Sequence, residues 1–167
     1  MSGEIFYSVM PSPIGELTLV SEGGKLTGLY MESYKHGRAR ERHWVRDDAK
    51  LADARRQLQD YFAGKRTQFD LEMEPAGTAF QKRVWRALCD IPHGETISYG
   101  ELARRIGQPT ASRAVGLANG QNPIAVIVPC HRVIGANGSL TGYGGGLPRK
   151  QWLLAHERGQ TGGDLFQ

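Results

Sequence analysis

Cysteine is scarce in this sequence: two residues, Cys89 and Cys130, in 167, with no Cys-x-x-Cys pair. That argues against a disulfide-scaffolded domain and leaves too few thiolates for a zinc site unless histidines completed one. Long apolar runs are also missing, and nothing approaches the roughly 18 residues needed to span a bilayer. The opening Met1-Ser2-Gly3-Glu4 has neither the basic nor the apolar region of a signal peptide. These absences predict a cytoplasmic protein whose two cysteines are free thiols. What is present is ordinary for a globular chain: 40% hydrophobic and 23% charged residues. The length suits one domain or two small packed ones.

The net charge of +4 is unevenly spread. Residues 1–76 carry 11 Lys+Arg against 12 Asp+Glu, whereas residues 77–167 carry 10 against 5. A positive excess confined to one half fits either a surface that meets a polyanion or a solvated basic face.

Pattern divides the chain at the same place. Ile5–Met10, Glu16–Ser21 and Leu26–Met31 read as strands of a small antiparallel sheet, joined through Pro11–Gly15 and the tight Glu22-Gly23-Gly24-Lys25 turn. The basic stretch 33–48 reads as an exposed loop. Leu51, Ala54, Leu58, Tyr61 and Phe62 recur at helical spacing until Gly64. Residues 65–76 read as a connector, which places the boundary between an N-terminal lobe, 1–76, and a mainly helical lobe, 77–167. In the second lobe Thr78-x-x-Gln81 and Ser98-x-x-Glu101 are capping-box patterns, each opening a helix. A further short helix is expected over Thr110–Asn119. Two short helices across a tight turn suggest a helix-turn-helix, although many helix corners share the pattern. The second of them carries the small residues Ala111, Ser112, Ala114, Gly116 and Ala118, with Arg113 its one long side chain. Small residues let a helix backbone approach a partner closely, whether inside the domain or on a ligand. Ile124–Val128 reads as a buried strand that runs into Pro129-Cys130-His131-Arg132-Val133-Ile134, a glycine-rich loop 135–146 and a last helix with Pro148 in its first turn. The segment Gln160–Gln167 reads as a frayed tail. The expected class is α+β.

Cys130 is the residue that calls for an explanation. A cysteine after an aliphatic run is by default a small buried hydrophobe. Here Pro129 ends the ladder, His131 is adjacent, and Glu157 in the terminal helix is of the type that orients an imidazole. A nucleophilic thiol needs a base, and a third group to hold that base. Whether the three meet in space cannot be read from spacing.

The hexapeptide Pro129–Ile134 resembles the active-site segment of the 6-O-alkylguanine-DNA alkyltransferases. The likeness extends through Thr96-Ile97-Ser98-Tyr99, Ser112-Arg113-Ala114-Val115-Gly116, Gln121-Asn122-Pro123, Gly142–Gly146 and Leu153-Leu154-Ala155-His156-Glu157, all in the family's order. The resemblance implies a ribonuclease-H-like N-terminal lobe with a small antiparallel sheet plus helix, then a helix-turn-helix lobe. It implies that Cys130 takes an alkyl group from the 6-oxygen of guanine. His131 would be its base, through a water, and Glu157 would hold the ring. Asn122 would tie the turn before the active segment to the helix-turn-helix. Tyr99 would sit near the guanine and help neutralise it, and Arg113 would enter the stack where the nucleotide has left it. Tyr143 would wall the pocket, and the Gly144 amide would donate to the 6-oxygen. The carbonyls of Cys130 and Val133 would read the exocyclic amine. The face formed by Ala111, Ser112, Ala114 and Gly116 would lie in the minor groove. The implied partner is double-stranded DNA carrying alkylated guanine, with no membrane, no metal and no cofactor, and a monomeric protein. Contact between neighbouring copies on DNA is left open.

Some positions depart from relatives. Ala125 stands where some carry proline, and Gly144 stands where some carry serine. Cys89 and Lys150 receive no role, Lys150 being read as a solvated lysine at a helix start. A cysteine hydrolase, or a non-catalytic binder of alkylated DNA, remains as an alternative. A thioester or peptidase assay without DNA separates the first.

Overall fold

The computed structural model describes residues 3–32, 43–140 and 142–160. Strands β1 (Ile5–Met10), β2 (Leu17–Glu22) and β3 (Lys25–Met31) form the antiparallel sheet, and β4 (Val45–Arg46) adds parallel to β1, giving the order β3-β2-β1-β4. The three long strands follow the sequence reading to within a residue. The expected loop 33–48 is corrected in part, because its end contributes β4; residues 33–42 lie outside the described residues, as do 161–167 of the expected tail. β4 is two residues long with both side chains exposed, so it carries no alternation to detect.

Helix α1 (Ala52–Phe62) covers the sheet with Ala54, Leu58 and Tyr61 buried, and Gly64 terminates it at φ 78°, a backbone region that favours glycine. The connector is tied down. Leu26 donates to the Glu72 carbonyl at 2.9 Å and Glu74 donates to the Leu26 carbonyl at 2.9 Å, so Met73 runs beside β3.

Helix α2 (Ala79–Leu88) opens on the expected capping box: the Thr78 hydroxyl accepts from the Gln81 amide, and the Gln81 side chain accepts from the Thr78 amide. At Ser98 only half of the motif forms. Its hydroxyl caps α3 (Tyr99–Arg105), but the Glu101 carboxylate turns forward to Arg104 and Arg105, where charge attraction outcompetes one backbone amide. Helix α4 spans Ser112–Gly120, starting two residues later than expected and including Gly120. It packs on α2 and α3, with the Trp85 indole donating to the Ala118 carbonyl at 2.9 Å.

The principal correction concerns residues 124–128, which form tight turns instead of a strand. Ile124 makes one bridge, to Leu29 of β3. The chain then folds back, with Val128 donating to the Ile124 carbonyl at 3.0 Å and Val126 at φ 71°. Asn122 explains this. Its amide donates to the Val128 carbonyl at 2.8 Å and accepts from the Ile124 amide at 3.0 Å, clamping both ends of the turn. A side chain has taken the place of a ladder partner. An all-apolar run of five carries no signal that separates a buried strand from a buried turn. Cys130 consequently opens a single 3-10 turn, Cys130–Arg132, which leads into β6 (Val133–Ile134). β6 pairs parallel with β5 (Ile97–Ser98), bringing Tyr99 alongside the cysteine segment. The last helix, α5 (Leu147–Glu157), starts with proline in its first turn and ends before Gly159 at φ 73°.

Candidate active site

The site is where the 3-10 turn meets α5 and α1. Cys130 and His131 leave the turn, Glu157 comes from the last residue of α5, and Tyr61 arrives from α1 of the N-terminal lobe. The expected His131 and Glu157 are thus brought into contact, with Cys130 on the same turn as the imidazole, and all three are buried. The His131 Nε2 lies 2.8 Å from Glu157 Oε2. The same carboxylate accepts from Arg132 Nε at 2.8 Å, from Arg132 Nη2 at 2.9 Å and from the Tyr61 hydroxyl at 2.6 Å. Arg132 also donates to the Ile91 carbonyl at 2.6 Å, which anchors the turn to the end of α2.

This network fixes the chemistry of the imidazole. Burial opposes charge on Glu157, yet His131 and Arg132 hold its carboxyl well below the ordinary carboxylate range. An ionised carboxylate only accepts, so His131 Nε2 must carry the proton. Nδ1 then keeps its lone pair. It is shielded from solvent, and no protein group among the described residues hydrogen-bonds to it. Burial pushes the imidazole below its ordinary value, while Glu157 pulls it back up. Burial likewise pushes the Cys130 thiol up, opposed by the Asn122 amide, the Lys150 charge and the Tyr143 hydroxyl. The resting pair at neutral pH is therefore a neutral thiol and a neutral imidazole.

Lys150 is a second correction. It is fully buried, and its Nζ donates to the Val133 carbonyl at 2.7 Å. Burial depresses its charge and the Cys130 thiol supports it. A lysine one turn into a helix reads as solvated because sequence does not show which way that helix faces. Arg132 and Tyr61 were also missed. Arg132 lies inside the hexapeptide but reads as one more basic residue, and Tyr61 reads as core on an apolar stripe. Asn119 was missed as well: it is buried on α4, with Nδ2 3.4 Å from the Cys130 carbonyl.

The remaining expected residues fall around this centre. Asn122 is fully buried in the turn clamp. Tyr99 heads α3 half-buried, and a methyl placed at Gly116 would stand 3.6 Å from its ring. Tyr143 is nearly buried, and Gly144 beside it is half-exposed. A side chain at Gly145 would meet the Met31 thioether of β3 and the Tyr143 ring, so the methionine would have to shift to admit one. The Arg149 guanidinium donates to the Gly145 carbonyl at 2.9 Å and to the Ile14 carbonyl at 2.8 Å, holding the glycine-rich loop on the N-terminal lobe. On α4, Ser112, Arg113 and Ala114 are exposed together with Leu117, and Ala111 and Gly116 are half-exposed. Cys89 is exposed and, with Pro129 and Arg132, lines a cavity of about 720 Å³.

Comparison with known proteins agrees with this arrangement. Residues 5–75 match the ribonuclease-like domain of 6-O-methylguanine DNA methyltransferase, and residues 79–159 match the DNA binding domain of the same family. A Mycobacterium tuberculosis protein named methylated-DNA–protein-cysteine methyltransferase is 55% identical over 163 residues, covering 96% of this chain and 97% of its own. A Methanosarcina acetivorans protein of the same name is 51% identical, covering 92% and 98%. Among solved structures, M. tuberculosis OGT in complex with DNA superposes with a TM-score of 0.89 at 54% identity, covering 97% of this chain and 99% of that one. A Methanococcus jannaschii O6-methylguanine DNA methyltransferase superposes at 0.62 with 28% identity, covering 91% and 93%. By both halves of its length, this chain belongs to the 6-O-methylguanine DNA methyltransferase family.

Proposed function

We propose that this protein repairs DNA by direct reversal, moving an alkyl group from the 6-oxygen of guanine in duplex DNA to Cys130, once per molecule. One observation carries the reading: a buried cysteine on the same turn as an imidazole whose Nε2 is held by a buried carboxylate at 2.8 Å. A thiol 3% exposed is out of reach of a stacked base, so the nucleotide must leave the helix. Extrusion costs a few kcal/mol. Arg113, exposed on α4, offsets part of this by filling the gap, while Ala111, Ser112, Ala114 and Gly116 let the helix backbone lie close in the minor groove.

In the reaction the Sγ–C bond forms as the bond from the alkyl carbon to the guanine 6-oxygen breaks, and the electron pair of that bond stays on oxygen. His131 Nδ1 takes the thiol proton through a water. The Tyr99 hydroxyl beside the ring gives its proton to the leaving guanine and regains one through solvent from the His131 imidazolium, so the sum is thiol plus alkylguanine to thioether plus guanine. Lys150 lowers the cost of the transient thiolate. Tyr143 walls the base, and the Gly144 amide donates to the 6-oxygen as charge develops there. A thioether offers this site no bond that water and an imidazole can break, so the acceptor is spent. Residues 1–76 serve as scaffold and supply Tyr61, and residues 77–167 bind DNA and do the chemistry. We place the protein in the cytoplasm, where a reducing pool keeps Cys130 a thiol; no helix among the described residues is long and apolar enough to cross a membrane.

Incubation with duplex containing 6-O-methylguanine, followed by intact mass and peptide mapping, should add one methylene to the peptide holding Cys130 and none to Cys130→Ser. No gain on that peptide in the unsubstituted protein overturns the proposal, and a binder without chemistry would give that result.

A further inference from the structure

Asn119 is buried, and its amide is only half used. The Nδ2 donates to the Cys130 carbonyl at 3.4 Å, whereas the Oδ1 is shielded from solvent with no hydrogen-bond partner among the described residues. The amide cannot simply turn over, because that would set its oxygen against the carbonyl oxygen of Cys130. A buried acceptor left unpaired costs about 1–3 kcal/mol, so an orphan of this kind needs a reason. Its neighbourhood supplies one. The two carbonyls expected to read the guanine amine are both already engaged by the protein: Cys130 by Asn119 and Val133 by Lys150 at 2.7 Å. The Cys130 carbonyl also accepts from the Val133 amide, which takes up its second lone pair, and Asn119 Oδ1 is the acceptor beside it with no other partner among the described residues.

On guanine, the 6-oxygen and the 2-amino group flank N1 on a single edge. A base that presents its alkyl carbon to Cys130 must therefore lay that edge along the Cys130 backbone, where the Asn119 amide sits. N1 of a 6-O-alkylguanine carries no proton, so the amine is the one donor on that edge. We infer that Asn119 is a specificity-determining residue, its Oδ1 accepting from the exocyclic amine of the extruded base while its Nδ2 aligns the Cys130 carbonyl. This rests on the alkyl-transfer reading above. It makes α4 a reader of the base as well as a groove-lying helix, through a buried side chain on a different face from the exposed Arg113.

The test uses two duplexes that differ by that amine, one carrying 6-O-methylguanine and one carrying 6-O-methylhypoxanthine. Single-turnover methyl transfer is measured at saturating DNA for the unsubstituted protein and for Asn119→Leu, which keeps the branching of the side chain and has no acceptor. The variant should lose about tenfold more rate on the guanine duplex than on the hypoxanthine duplex, the worth of one buried hydrogen bond. Loss of the Cys130 alignment alone would lower both rates by the same factor and overturn the inference, as would no loss on either. If the leucine variant fails to fold by circular dichroism, the smaller Asn119→Ser is scored by the same ratio. Transfer by the unsubstituted protein is the control that separates the two readings: without it the alkyl-transfer proposal itself falls, and with it the ratio judges Asn119 alone.

Discussion

Replacing Glu157 by glutamine tests the network on which the site is built. The carboxylate accepts four hydrogen bonds, from Tyr61, His131 and twice from Arg132, at 2.6–2.9 Å. Glutamine keeps the volume but removes the charge and presents an amide donor to groups that are themselves donors. The Arg132 guanidinium, 8% exposed, is then a buried cation without its counter-ion. Removing one partner of a buried pair costs about 3–5 kcal/mol. For a chain of this size that corresponds to a fall in Tm of about 6–20 °C. Tyr61→Phe deletes one neutral donor from the same oxygen and should cost less, about 1.5–3 kcal/mol, the range for a hydrogen bond to a charged group. The pH dependence follows from the sign of the shift. A carboxyl held below its unfolded value of 4.5 contributes stability that is fully present above that value and is lost as pH falls through the folded one. The gap between the two proteins in urea unfolding should therefore be constant from mildly alkaline to mildly acidic pH and close only in strong acid. Transfer should also slow, because His131 is freed to place its proton on either nitrogen and Nδ1 is no longer committed as the base. A Glu157→Gln protein with unchanged Tm, or a gap that closes already near neutrality, would refute this account of the network.

Two further outcomes follow from the geometry. Lys150→Met removes the buried charge that favours the Cys130 thiolate, so the pH at which iodoacetamide modifies Cys130 should rise; an unchanged profile would dissociate Lys150 from the thiol. Arg113→Ala should slow transfer from a lesion in a fully paired duplex by about tenfold, and by less when the lesion is mismatched, because an unpaired base costs less to extrude. Equal slowing on both would assign Arg113 to backbone contact instead.

Much of this protein was legible before any coordinates. The alternation of β1 to β3, the apolar stripe of α1 and the Thr78 capping box are local signals, carried by residues two to four apart, and each formed as read. So was the family, because Pro129–Ile134 and its companion segments are specific in order and type, and with it the choice of Cys130, His131 and Glu157 as candidates. What local pattern does not contain is which way a buried side chain faces and what it meets. Ile124–Val128 is apolar enough for a strand, and only the Asn122 side chain, reaching across six residues, makes it a turn. Lys150 and Arg132 look like ordinary basic residues until burial takes away their water and leaves the Val133 carbonyl and Glu157 as their partners. Tyr61 lies 96 residues from Glu157 and the Asn119 amide meets a backbone atom of Cys130, so both roles exist only after the lobes and turns have closed. Sequence by itself determined the three long strands and the main helices, and it singled out Cys130 as the candidate nucleophile. The tertiary structure alone decided the charge state and tautomer around that nucleophile, since both depend on burial and on contacts between groups far apart along the chain.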